Sequence, residues 1–211
     1  MDTRRLILGD WHPLVRDGLD VGRAALAVAA AAYALAGELA GAGYLAVSAA
    51  VTIAARLADL PRTLDLALLV ALAVTGFGEA LGLYDRWTWF DRAVHFTVPM
   101  LLAPVIYIGF ARVEIVPDPR DESGLRHRPS LWTLTFCFGM AVGGLWEIFE
   151  WLSDYTFGSN LSEGNADTVG DLMADALGAA AGGALLVLWS TRGWGSVRRI
   201  PGENRYEDLD A

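Results

Sequence analysis

Long apolar blocks alternate with short polar stretches along this chain. Several blocks approach the ~20 residues needed to cross a hydrocarbon core as a helix. The pattern predicts six spans, over residues 21–37, 44–58, 63–83, 90–111, 131–152 and 169–190. The first two are short and rich in alanine. Gly41-Ala42-Gly43 reads as the turn between them, and Leu60-Pro61-Arg62 as a break before the third. The expected fold is all-α: a polytopic membrane helix bundle of six transmembrane helices, forming one domain over residues 1–192. The polar, mixed-charge stretch 193–211 reads as a flexible cytoplasmic tail.

Composition agrees with the pattern. Hydrophobic residues make up 54% of the 211 residues, and the mean hydropathy is +0.37. The formal net charge of -9 argues against nucleic acid as a partner. The single cysteine, Cys137, permits no intramolecular disulfide or cysteine metal cluster and reads as a small core residue. Thr3-Arg4-Arg5 is followed too soon by Gly9-Asp10-Trp11-His12-Pro13 to open an export signal, so none is expected.

Arginine placement predicts orientation. With the N-terminus inside, the cytoplasmic segments hold 14 of the 16 arginines, and the outer segments hold only Arg86 and Arg92. Both termini are therefore expected in the cytoplasm, with the chain a multi-pass protein of a bacterial cytoplasmic (inner) membrane. Trp87, Trp89 and Trp151 fall near outer ends, and Trp132, Trp189 and Trp194 near inner ones. His12 and His127 read as solvated loop residues on the cytoplasmic side.

The candidate chemistry lies in the apolar blocks themselves. Asp91 and His95, Glu147 and Glu150, and Asp171 and Asp175 are ionisable residues where a bilayer tolerates few. Helical rise puts Asp91 at the outer mouth of the fourth span and His95 about 6 Å deeper. Glu150 and Glu147 lie roughly 3 and 7–8 Å inside the fifth span, and Asp171 and Asp175 roughly 3 and 9 Å inside the sixth. Glu79 reaches a similar depth on the third. The spacing of Asp91 with His95, of Glu147 with Glu150, and of Asp167, Asp171 and Asp175 places each set on one helix face. Gly139 with Gly143, and Gly178 with Gly182, are small residues four apart that let helices approach closely. The last three spans are expected to pack together and to converge their ionisable groups in one outward-facing layer.

Carboxylates with one imidazole suit a divalent cation such as Mg²⁺, Mn²⁺ or Zn²⁺. His95, Glu147, Asp171 and Asp175 are the expected ligands, with Asp91, Glu150, Glu79 and Asp167 behind them. His95 and Glu147 are also the central pair for acid–base chemistry. The plainer reading is a set of interhelical hydrogen bonds and ion pairs, with Arg86 or Arg92 neutralising some acids. The stretch Ser153–Thr168, long for a connection, reads either as a lid over the layer or as a solvated turn.

These residues carry a resemblance. Tyr84-Asp85 with Asp91-Arg92-Ala93-Val94-His95-Phe96, then Gly143-Gly144-Leu145-Trp146-Glu147-Ile148-Phe149-Glu150-Trp151, then the Asp167–Gly178 stretch resemble motifs of YjdF-like bacterial inner-membrane proteins. The resemblance covers roughly residues 60–188 and implies a membrane fold without a defined activity. A weaker similarity to VanZ-like membrane proteins rests on Asp91-Arg92-x-x-His95, Gly143-x-x-x-Glu147 and Asp171. It implies a role in the cell envelope, although Glu150 and Trp151 depart from that pattern.

The leading expectation is an outward-facing site for a divalent cation or for a polar lipid or envelope head group, open to hydrolase or transferase chemistry. Membrane lipid or a lipid-linked substrate is the expected partner. A small proton- or cation-coupled transporter is the alternative, although Thr133, Thr135 and Ser190 are nearly all that the inner halves offer a polar path. A membrane scaffold or assembly partner without catalysis is the third reading.

Overall fold

The computed structural model describes residues 18–56, 60–121, 124–159, 161–162 and 164–192. The expectations for His12, Trp194 and the 193–211 tail lie outside these. Among the described residues the fold is all-helical: α1 (Gly18–Ala36), α2 (Leu39–Ala55), α3 (Arg62–Ala80), α4 (Leu83–Arg86), α5 (Phe90–Arg112), α6 (His127–Phe157) and α7 (Asn165–Arg192). Five of these are long and apolar enough to cross a membrane, and α2 is a shorter apolar helix.

The chain forms two compact units. The first holds α1 to α3 and residues 108–118. Its apolar core is Leu26, Ala30, Leu45, Ala49 and Leu69, with Tyr33 and Phe77 packed against it. The turn between α1 and α2 is not at Gly41–Gly43, as the pattern predicted, but at Gly37 and Glu38. Gly37 has φ +86°. Its N–H donates to Ala34 O, and that of Glu38 to Tyr33 O. This double closure needs a left-handed residue, which glycine adopts at least cost. Gly41 is instead a packing residue, since a Cβ there would lie 2.8 Å from Ala80 Cα. Alanine-rich sequence on both sides hid that distinction.

One end of this unit buries a cluster of charge. Arg23 donates from Nη1 to Asp20 Oδ1 at 2.7 Å, from Nε to Thr52 O at 3.0 Å, and from Nη2 to Asp65. Arg56 pairs with Asp20 Oδ2 at 3.2 Å. In the sequence, Arg23 and Arg56 read only as charges flanking the spans. The i, i+3 spacing of Asp20 and Arg23 was the available signal.

The second unit comprises Gly82–Tyr107 and Pro119–Thr191. Its helices approach through glycine. A Cβ on Gly178 would strike Phe96 O, and one on Gly182 would lie 2.7 Å from Met100 O. Pro104, inside α5, has no N–H to donate to that Met100 carbonyl. On α6, a Cβ at Gly139 would lie 2.9 Å from Ala179 Cα. The two glycine pairs thus serve different contacts: Gly178 and Gly182 admit α5 to α7, and Gly139 and Gly143 admit α7 to α6.

At 31 residues, α6 is about 46 Å long, well beyond a hydrocarbon core of ~30 Å. It extends past residue 152, and α7 begins before residue 169, so the connection shrinks to residues 158–164. Asp154 closes it, its carboxylate accepting from Ser159 Oγ, Leu161 N and Ser162 N at 2.7, 2.8 and 3.0 Å. Gly158 and Gly164 supply positive φ. Two side-chain expectations also change, those for Cys137 and His127. Cys137 is exposed, not in the core. Trp189 is buried, with the Arg120 guanidinium 4.7 Å above its ring. His127 Nε2 donates to Pro119 O at 2.8 Å instead of standing in solvent. Hydropathy alone does not distinguish the two faces of a helix that is apolar all round.

Candidate functional site

The site lies within the second unit, where the N-terminal turns of α5 and α7 meet the C-terminal half of α6. Asp91 and His95 share a face of α5, and Asp171 and Asp175 share a face of α7. His95, Glu147, Glu150, Asp171 and Asp175 are all buried. The pairs' four-residue spacing turns both members of each helix inward together.

His95 is the hub. Its Nδ1 lies 3.2 Å from Asp175 Oδ1. On the opposite edge, Nε2 is 3.7 Å from both Asp91 Oδ1 and Glu147 Oε1. Two groups of three therefore share the imidazole, Asp91–His95–Asp171 and His95–Glu147–Asp175, each with one donor atom per residue within 4.8 Å of the others. Nδ1 thus faces Asp175 and Nε2 faces Asp91 and Glu147.

Several carboxylate oxygens are left over. Glu147 Oε1, Asp171 Oδ1 and Asp175 Oδ2 are buried without a hydrogen-bond partner. Asp175 fits only because residue 143 is glycine: a Cβ there would overlap its carboxyl group. The nearby cation is Arg92, whose Nε is 4.0 Å from Asp171 Oδ1 and whose side chain is 61% exposed. Its guanidinium lies over Gly170. The cluster thus grades from an open end at Arg92 and half-exposed Asp91 to a closed end at His95 and Asp175.

Glu150 belongs to the surroundings, because its Oε1 accepts from Trp146 Nε1 at 2.8 Å. Asp167 is half-buried in the first turn of α7. Glu79 is half-buried near the end of α3, in the first unit. Arg86 is exposed. Sequence reasoning did not single out Trp146, one turn before Glu150. It also passed over Thr168, whose hydroxyl lies within hydrogen-bonding reach of Glu147.

The helices and the buried ionisable groups define an integral membrane protein with a carboxylate–histidine cluster. Residues 21–192 match the model of a family described as Predicted membrane protein (DUF2238), and the chain belongs to that family. YjdF is a member of it as well. No curated protein and no solved structure matches the chain.

Proposed function

We propose that this is a six-span protein of a bacterial cytoplasmic membrane, with both termini inside and an outward-facing site for one divalent cation. The orientation rests on the arginine distribution. The cation reading rests on one observation: Glu147 Oε1 and Asp171 Oδ1, buried without hydrogen-bond partners, lie in two donor groups that share His95. Buried, unpaired carboxylate charge is costly, and a bound cation offsets it. In this reading His95 Nε2, Glu147, Asp91 and Asp171 are the ligands. Asp175 holds the ring through Nδ1, as second carboxylates commonly do for metal-bound histidine. The oxygen-rich set favours Mg²⁺ or Mn²⁺ over Zn²⁺.

A bound cation would serve an envelope role of the kind the VanZ likeness implies, by holding a polar head group or by activating it for hydrolysis or transfer. Calorimetric titration of Mn²⁺ into the purified full chain tests the reading. Saturable binding is expected in the parent protein and is expected to vanish in His95→Ala and Glu147→Gln. Transport is the second reading: proteoliposome ion flux abolished by Glu147→Gln would favour it. Full cellular activity in a His95→Ala, Glu147→Gln, Asp175→Asn triple variant would favour a scaffold.

A further inference from the structure

Arg92 has no task in a site built only to hold a cation. It is the one basic side chain that the described structure sets against an acid of the cluster, apart from the hub histidine. It does not close a tight pair, because its contact with Asp171 Oδ1 is 4.0 Å and most of its side chain is exposed. Its place over Gly170 leaves the guanidinium on the first turns of α7, at the open end of the graded cluster.

Three features bear on what it meets. A hard divalent cation held by a few carboxylates keeps coordination positions that phosphate oxygens commonly fill. A guanidinium fork matches two phosphate oxygens and is weakly hydrated compared with an ammonium. Just before α5, the exposed Trp87 and Trp89 rings stack at 5.5 Å. Paired indoles of this kind mark the head-group layer of a bilayer, where phosphate esters are abundant. The acids act in the opposite sense, since four carboxylates beside one arginine repel any anion until a cation is present.

We infer that Arg92 and the bound cation together bind a phosphate group, either a lipid phosphomonoester or free phosphate, and that the cation must bind first. This rests on the cation reading above. Phosphate oxygens complete the coordination of the cation while the Arg92 fork takes others. No bond is made or broken in this step.

The test measures Mn²⁺ affinity of the full chain in neutral detergent, alone, with inorganic phosphate, and in mixed micelles containing phosphatidic acid. At least one phosphate source is expected to tighten Mn²⁺ binding about tenfold, the scale of one charge-assisted hydrogen-bonded pair. A gain with phosphatidic acid only assigns the ligand to lipid, and a gain with inorganic phosphate alone assigns it to a free anion. Arg92→Gln is expected to bind Mn²⁺ alone at least as tightly as the parent, because it removes a competing positive charge, and to lose the phosphate gain. Arg92→Lys is expected to keep part of it. Mn²⁺ binding that neither phosphate source strengthens, or an undiminished gain in Arg92→Gln, overturns the inference and leaves the cation reading standing. Absence of Mn²⁺ binding in the folded parent chain overturns both.

Discussion

In the first unit, Asp20 and Asp65 meet Arg23 and Arg56 in a buried cluster of matched charge. In the second, Asp91, Glu147, Asp171 and Asp175 surround His95, with the exposed Arg92 against Asp171. Both clusters carry charge out of water, which is costly unless it is balanced and hydrogen-bonded. In the first, Arg23 bonds Asp20, Asp65 and the Thr52 carbonyl, and so it reads as a clamp joining α1, α2 and α3. The second leaves three buried oxygens unmatched. On the cation reading proposed above, similar burial with different balance separates a structural ion cluster from a ligand site.

Mutations should therefore act with opposite sign in the two places. The largest effect is expected in the clamp. Arg23→Ala leaves two buried aspartates without their shared partner and should cost about 3–5 kcal/mol of stability, read by thermal unfolding in detergent. Asp65→Asn, a milder cut, should destabilise in the same direction. A neutral result for both would remove the distinction. In the second unit, Glu147→Gln should leave the cation-free protein as stable as the parent or more so, because it removes unmatched buried charge.

Gly143→Ala comes next, at about 1–3 kcal/mol for forcing a methyl group into occupied space, and Mn²⁺ binding should be lost with it as Asp175 is displaced. Asp175→Asn keeps the volume but weakens the hold on the imidazole. It should reduce Mn²⁺ affinity about 10- to 100-fold. The smallest effect is expected from Trp146→Phe, which removes the Glu150 hydrogen bond at a cost of about 0.5–1.5 kcal/mol and should leave Mn²⁺ affinity within a few-fold of the parent.

The legibility of the two clusters differed for a physical reason. The second was visible because its acids recur at three- and four-residue spacing within long apolar blocks, where each one is conspicuous. Helical rise then placed His95, Glu147 and Asp175 near one level, with Asp91, Glu150 and Asp171 in the same outer layer. The first cluster sits at helix ends, where acids and arginines are ordinary, so the i, i+3 spacing of Asp20 and Arg23 does not stand out. Rotations were also hidden. The glycine spacing indicated close packing, but not that Gly178 would meet Phe96 while Gly143 would make room for Asp175. Nor does sequence reveal which imidazole nitrogen faces which carboxylate, the detail on which the proposed division between ligand and support rests. The 153–168 stretch read as a long loop because its polar composition masked helical ends, where polar residues are favoured as caps.

The most direct test of the contrast is the unfolding midpoint of the purified full chain, measured with increasing Mn²⁺ for the parent and for Glu147→Gln. At a hundredfold excess over the dissociation constant, a single bound cation stabilises by about 2.7 kcal/mol, a rise of roughly 5–10 °C for a chain of this size. That rise is expected in the parent, and in Glu147→Gln a midpoint no lower than the cation-free parent and indifferent to Mn²⁺. A parent midpoint that Mn²⁺ does not move, together with a lowered midpoint in Glu147→Gln, would mean that the second cluster is balanced from within like the first and holds no cation.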